Sequence, residues 1–89
     1  MTDSPHSRDL YARARQVMPA GNTRHTVYRQ PFQVYAERGD GCRITDVDGT
    51  VRIDATGNFT SLIHGYGNDR IREAAIRQIE LGTCFGMAT

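Results

Sequence analysis

The chain has 89 residues, of which 38% are hydrophobic and 24% are charged, and this balance is typical of a folded globular sequence. The formal net charge is only +1, with acidic residues interspersed among the basic ones, so we expect no nucleic-acid partner. A chain of this length buries one modest core at most, because small domains remove little of their surface from water on folding.

The sequence also predicts no membrane partner and a cytoplasmic location. No apolar run approaches the roughly 20 residues that a membrane-spanning helix needs. Residues 1–6 lack the basic start and apolar stretch of a secretion signal. Cys42 and Cys84 lack the paired spacing of a zinc site and are too few for a disulfide framework, so we expect two buried free thiols.

The first predicted element is a helix near the N-terminus. Apolar residues recur there at helical spacing, namely Leu10, Ala14, Val17 and Met18. Ser4 with Pro5, or else Ser7, can begin the helix, because a hydroxyl cap and an early proline deal with unpaired N–H groups. Pro19 and Gly21 end it, and a polar loop is predicted over residues 22–30.

Three short strands are predicted next, over residues 32–38, 42–47 and 51–54. A turn at residues 39–41 joins the first two, and Asp48-Gly49 joins the second and third. Asp-Gly between alternating side chains is among the strongest signals for a hairpin turn. These strands therefore predict a small antiparallel meander.

A glycine-punctuated segment over residues 55–68 fits neither the helical nor the strand period and is expected to be a buried or site-lining loop. Asn68 or Asp69 then caps a second helix. The apolar face of that helix carries Ile71, Ala75 and Ile79. Gly82 ends it. The whole predicted piece is α+β.

Two motifs are better explained as structure than as sites. Asp46 to Gly49 looks like the start of a calcium loop, but the required Glu at the twelfth position is Gly57, so no metal is expected. Gly65-Tyr66-Gly67 would need its third fingerprint glycine where Arg70 stands. Arg24 remains open, because a guanidinium in a polar loop is either a carboxylate clamp or an ordinary surface group.

Several blocks in this order and spacing resemble one family. They are Met18-Pro19-Ala20-Gly21-Asn22, Tyr35-Ala36-Glu37-Arg38-Gly39-Asp40-Gly41, Thr45-Asp46-Val47-Asp48-Gly49, Arg52-Ile53-Asp54, Thr60-Ser61-Leu62-Ile63-His64-Gly65, and Gly82-Thr83-Cys84-Phe85-Gly86-Met87-Ala88-Thr89. From Leu10 onward the chain is similar to the N-terminal region of class III aminotransferases that use pyridoxal 5'-phosphate (PLP). The branch is that of glutamate-1-semialdehyde aminomutase and the β-amino-acid transaminases.

The resemblance implies an α/β parent of fold-type I, in which residues 1–89 are the N-terminal part of the small domain of a homodimer. It implies that Arg24 grips a substrate carboxylate and that Phe59, Thr60 and Ser61 line the substrate pocket. It also implies that Phe85, Gly86 and Thr89 approach the subunit interface and complete the pocket. The partners would be an amino donor and a keto or aldehyde acceptor.

Two departures sharpen this expectation. Aminomutases of the branch carry a longer, proline-containing loop before their carboxylate-binding Arg, and a Trp where Phe59 stands, so the chain looks more like a transaminase. All 11 basic residues are Arg, so the chain contains no Lys to form the covalent bond with the cofactor aldehyde. We therefore expect the piece to contain no catalytic residue and to be inactive by itself. Aminomutase activity and a small non-catalytic binding module are the alternatives.

Overall fold

The computed structural model describes residues 3–89. Its elements follow one another in the predicted α+β order. They are α1 (Pro5–Val17), two 3₁₀ turns (Pro19–Gly21 and His25–Val27), β1 (Ala36–Asp40), β2 (Arg43–Asp46), β3 (Val51–Ile53), a four-residue helical turn α2 (Gly57–Thr60), and α3 (Asp69–Leu81).

The three strands form one antiparallel sheet in the order β1-β2-β3, which confirms the predicted meander. The register pairs Asp40 with Arg43 in the first hairpin and Thr45 with Val51 in the second. At the second turn the Gly49 N–H donates to the Asp46 carbonyl at 2.9 Å. Gly49 has φ of 82°, a conformation that glycine adopts without steric cost.

The prediction for β1 was wrong in position: the strand begins at Ala36 and runs through Asp40, later than residues 32–38. Residues 32 and 33 instead belong to a compact turn. The Gln33 side chain accepts a hydrogen bond from the Arg29 N–H at 3.1 Å and donates one to the Arg29 carbonyl at 3.0 Å. The buried Phe32 ring lies under the Arg8 guanidinium at 4.3 Å. A side chain that bonds the backbone locally competes with a strand ladder.

Helix α1 begins at Pro5, as predicted, but a carboxylate rather than a hydroxyl caps it. The Asp48 side chain accepts hydrogen bonds from the His6 N–H at 2.8 Å and the Ser7 N–H at 3.0 Å. A negative charge also interacts favourably with the partial positive charge of a helix N-terminus. Burial alone would raise the pKa of Asp48, but the Ser7 and His6 hydrogen bonds outweigh it and lower the pKa.

Asp46, two residues earlier, organises the hairpin turn from inside. Its side chain is buried, and it accepts hydrogen bonds from the Asp48 N–H at 3.1 Å and the Thr50 N–H at 2.8 Å. It also forms an ion pair with Arg52 on β3. Burial opposes ionisation, but the bonds from Arg52 and the turn N–H groups prevail and lower the pKa of Asp46. The charged form is therefore the one that fits the turn.

The apolar core of the described residues is small and lies beside α1. Ala14 and Phe32 are its buried hydrophobic side chains. No residue of α3 is buried, and within residues 3–89 this helix packs against no other helix or strand. Its predicted cap is confirmed, because the Asn68 side chain accepts from the Ile71 N–H at 3.2 Å.

The prediction of buried thiols was wrong, since Cys42 and Cys84 are both exposed. Cys42 lies in the turn between β1 and β2, and Cys84 follows α3, so each lies away from the small core. Among residues 3–89, none of the helices has the length and apolar character required to cross a bilayer.

Candidate functional site

An open cleft of about 490 Å³ lies between the turn at His25–Val27, the sheet and α2. Charged, polar and aromatic side chains line it together. Those that concern its chemistry are Arg24, Arg29, Asp54, Asn58, Phe59 and Tyr66. The cleft thus contains two of the residues singled out from the sequence, Arg24 and Phe59.

Arg24 is held at both its backbone and its guanidinium. Its N–H donates to the Asn22 side chain at 2.9 Å, which closes a tight turn before the cleft. Its Nη2 donates to Asn58 Oδ1 at 2.5 Å, and its Cζ lies 5.8 Å from the centre of the Phe59 ring. The structure therefore brings Arg24 and Phe59 onto the same side of the cleft, although 35 positions separate them.

Arg24 keeps its charge available. Within residues 3–89 it forms no ion pair with any carboxylate, and the side chain is exposed toward the cleft. Its hydrogen-bond partner Asn58 is neutral. A guanidinium with unused N–H groups in a concave site is suited to bind a carboxylate in a bidentate geometry.

The short helix α2 is left-handed. Gly57, Asn58, Phe59 and Thr60 have φ of 53°, 51°, 57° and 70°. Residues with a Cβ atom adopt this conformation at a cost of about 1–2 kcal/mol each, so the surrounding structure must impose it. The consequence is that Asn58 and Phe59 both reach the cleft.

Asp54, at the end of β3, holds the start of that turn. Its Oδ1 accepts from the Thr56 N–H at 2.9 Å, the Thr56 hydroxyl at 2.8 Å and the Gly57 N–H at 3.0 Å. Two backbone bonds close the turn, from the Thr60 N–H to the Thr56 carbonyl at 2.9 Å and from the Leu62 N–H to the Gly57 carbonyl at 3.0 Å. These bonds offset the cost of the left-handed backbone.

The other oxygen of Asp54 accepts a hydrogen bond from the Tyr66 hydroxyl at 2.6 Å. This bond, followed by those from Thr56, lowers the pKa of Asp54 to about 2. The same bond raises the pKa of Tyr66, because the hydroxyl must keep its proton to donate it. Asp54 thus uses both oxygens to organise the cleft wall.

Tyr66 is itself fixed by the sheet edge. Its N–H donates to the Gly41 carbonyl at 2.8 Å, and the Gly41 N–H donates to the Tyr66 carbonyl at 3.0 Å. A Cβ atom on Gly65 would lie 2.5 Å from the Gly41 carbonyl oxygen, so the close approach of the two segments requires glycine there. The loop after α2 is thereby pinned to the β1–β2 turn.

The remaining predicted residues lie elsewhere. Thr60 ends the left-handed turn, and the Ser61 hydroxyl donates to the Asn58 carbonyl at 3.0 Å. Phe85 and Thr89 border a separate hollow that follows α3, and Gly86 lies between them in the chain. No hydrogen bond, ion pair or ring contact of residues 3–89 joins these three to the Arg24 cleft.

The sequence patterns did not predict Asn58, Asp54 and Tyr66 as parts of the site. One signal was present for Asn58, since Asn directly after Gly57 is a residue type that tolerates positive φ. The pairing of Asp54 with Tyr66 spans 12 positions, and no local pattern predicts it.

Comparison with known proteins supplies the family. The sequence profile of the family described as Aminotransferase class-III matches residues 25–89. The chain belongs to the class III aminotransferases. Arg24 immediately precedes the matched residues.

Relatives of this class III aminotransferase chain include an aminomutase and two transaminases of known structure. A glutamate-1-semialdehyde 2,1-aminomutase of Methanococcoides burtonii is 36% identical over 83 residues, which is 93% of this chain and 20% of that protein. An omega-transaminase from Sphaerobacter thermophilus is 51% identical with a TM-score of 0.88, over 93% of this chain and 19% of that one. A transaminase with PLP bound is 47% identical with a TM-score of 0.94, over 100% and 21%.

The chain therefore spans about a fifth of the length of the relatives that it matches. The cleft residues contribute two guanidinium groups, a carboxylate, an amide, a phenol and a phenyl ring, and the sequence has no Lys amine. This donor set does not fit the attachment site of PLP. It fits the side of a pocket that receives a substrate carboxylate.

Proposed function

We propose that this chain forms the substrate-side wall of a PLP-dependent class III aminotransferase, in which Arg24 binds the carboxylate of the amino substrate. The reaction would move an amino group between a carboxylate-bearing amine and a keto acid or aldehyde. The observation that carries the proposal is the Arg24 guanidinium, which lies over Phe59 in the cleft without a carboxylate partner.

The cleft supports this role by combining charge with an apolar surface. Asn58 uses one N–H group of Arg24, and the rest of the guanidinium fork remains for two parallel hydrogen bonds to a carboxylate. Phe59, which is 61% exposed, offers its ring to the apolar part of the same molecule. Binding at two points fixes the orientation of a substrate as well as its position.

The complete enzyme would obtain its electron sink from PLP, held by residues outside this chain. The 89 residues would then be inactive alone and would act by binding and orienting. In the same proposal the enzyme is a cytoplasmic homodimer. Phe85, Gly86 and Thr89 would complete the pocket at its subunit interface, because apolar side chains after α3, including Phe85 and Met87, are exposed.

The test is Arg24→Ala in the complete enzyme, assayed with a panel of α-, β- and γ-amino acids and with the decarboxylated amine of the best donor. We expect the KM for the amino acid to rise about 10- to 100-fold, as for a lost hydrogen bond to a charged group. The KM for the amine should stay unchanged. Arg77→Ala on the exposed face of α3 is the matched control. An unchanged KM for the amino acid in Arg24→Ala would remove Arg24 from the site.

A second candidate is the intramolecular transfer of a glutamate-1-semialdehyde aminomutase. It is favoured by the aminomutase of Methanococcoides burtonii, which is 36% identical to this chain. The two reactions differ in their need for an acceptor. Conversion of glutamate-1-semialdehyde by the complete enzyme without an added keto acid or aldehyde would select the aminomutase. No conversion under those conditions, with turnover of amino acids when an acceptor is present, would select the transaminase.

A further inference from the structure

We propose that Asn58 is a positioning residue that holds the Arg24 guanidinium in the cleft with a neutral group and so preserves its charge for the substrate carboxylate. This inference rests on the proposed function of Arg24. Arg24 Nη2 donates a hydrogen bond of 2.5 Å to Asn58 Oδ1, and this bond joins the loop before the sheet to the left-handed turn α2.

The neighbours of Asn58 determine which way its amide faces. Arg24 only donates hydrogen bonds, so the amide oxygen must face it. The amide nitrogen then faces Ser61 and donates to its hydroxyl oxygen at 3.1 Å. That hydroxyl in turn donates to the Asn58 carbonyl at 3.0 Å. Each donor meets an acceptor only when the Asn58 amide oxygen faces Arg24 and its nitrogen faces Ser61. Ser61 therefore fixes the orientation of the amide that positions the Arg24 guanidinium.

The neutrality of the amide is the property that matters for binding. An Asp at position 58 would have nearly the same shape and would form an ion pair with Arg24. Its negative charge would then compete with the substrate carboxylate for the same guanidinium. The cleft already contains the carboxylate of Asp54. Both oxygens of that carboxylate accept hydrogen bonds, from Thr56, Gly57 and Tyr66.

The backbone at this position narrows the choice of residue further. Asn58 has φ of 51° and ψ of 55°, in the left-handed region. Among residues other than glycine, Asn and Asp adopt that region most readily. Asn58→Asp and Asn58→Gly are therefore the substitutions that alter the side chain without straining the backbone, whereas Asn58→Ala would change both.

The experiment uses the complete enzyme with Asn58→Asp and Asn58→Gly, each alone and combined with Arg24→Ala. Asn68→Asp is the matched control, because it adds the same charge at an exposed helix cap. The substrates are the best amino acid of the panel and its decarboxylated amine, for example β-phenylalanine and 1-phenylethylamine.

We expect Asn58→Asp to raise the KM for the amino acid about tenfold or more, with the kcat and the KM for the amine little changed, since only carboxylate binding is opposed. Asn58→Gly should raise the same KM by a smaller factor, because it removes the tether but adds no charge. In the Arg24→Ala background Asn58→Gly should have no further effect, because the guanidinium that it holds is already gone.

Different failures point to different errors. If Arg24→Ala raises the KM but both Asn58 variants match the wild type, the role of Asn58 is wrong and the proposed function stands. Equal rises for the amino acid and the amine would also overturn the inference, since they would mean that Asn58 shapes the pocket generally. If Arg24→Ala itself has no effect, the proposed function and this inference both fall. Asn58→Gly keeps the test valid where Asn58→Asp lowers the yield of folded enzyme.

Discussion

Helices α1 and α3 are both 13 residues long, yet they are held in opposite ways. The N-terminus of α1 is bonded to Asp48, more than 40 positions away, and the helix buries Ser7 and Ala14. The N-terminus of α3 is capped by its own neighbour Asn68, and none of its residues is buried. The first helix is fixed by tertiary structure and the second only by local structure.

The difference shows where the fold of this chain is self-contained. An isolated helix of about 12–15 residues is marginally stable in water, so α3 needs a surface to cover Ile71 and Ile79. The region from α1 to Tyr66 is instead cross-linked by long-range hydrogen bonds, and the cleft lies inside it. The elements that shape the cleft are thus those that hydrogen bonds within this chain position.

The largest effect on this difference between the two regions is expected from Gly65→Ala. This substitution disturbs the contact between residues 65–66 and Gly41, at the end of the hydrogen-bonded region. Its Cβ would lie 2.5 Å from the Gly41 carbonyl oxygen, at φ of 69°. We expect a loss of about 2–4 kcal/mol from overlap and backbone strain together. Hydrogen exchange of the Gly41 and Tyr66 amides in the complete enzyme would measure it.

The control for Gly65→Ala is Gly49→Ala. Gly49 also has positive φ, at 82°, but a Cβ there meets no atom within 4 Å. Only the backbone cost of about 1 kcal/mol should appear. Equal effects of the two substitutions would mean that the close approach of Gly65 to Gly41 is not what pins the loop.

A finer test removes the two caps separately. Asp48→Ala should speed hydrogen exchange in the first turn of α1 and leave α3 unchanged, because the lost acceptor serves the His6 and Ser7 N–H groups of that turn. Asn68→Ala should speed exchange in the first turn of α3 by the factor that corresponds to about 1 kcal/mol and leave α1 unchanged. Faster exchange in both helices from either substitution would show that they are coupled.

The smallest expected effect is a change in stability at acidic pH, through the titration of Asp54. The folded pKa of Asp54 is lowered to about 2, so its contribution to stability is complete above the ordinary value of about 3.9 and is lost as the pH falls toward 2. The largest cause is the Tyr66 hydroxyl, so Tyr66→Phe should move the midpoint upward. Carboxyl carbon NMR of the aspartates in the complete enzyme would measure this midpoint. An unmoved Asp54 midpoint would contradict the role of Tyr66.

Local patterns predicted the parts of the fold that local chemistry decides. The Asp48-Gly49 turn, the Asn68 cap and the end of α3 at Gly82 are all where the sequence places them. The start of β1 was misplaced because the buried Phe32 looks like a strand residue, while Gln33 binds the Arg29 backbone instead. The cap that Asp48 provides could not be predicted from local sequence, because the His6 and Ser7 N–H groups that it accepts from lie in another element.

The candidate site was predictable to a lesser degree. The resemblance pointed to Arg24 and Phe59, and the structure places them in one cleft. The tether from Asn58 was not predictable, because it depends on a left-handed turn that runs through Phe59, a residue type rarely found there. Such a conformation follows from what surrounds the segment, in this case the hydrogen bonds that Asp54 accepts, and not from its own propensities.

The spacing of Asp46 and Asp48 limits the insertions that this turn can accept during evolution. Exposed hairpin tips normally accept inserted residues, because few of their backbone groups are buried or hydrogen-bonded. Here one carboxylate faces inward to Arg52 and the other faces α1, with the single residue Val47 between them. A single inserted residue would turn one of them the wrong way, so this tip should keep its length while neighbouring loops diverge.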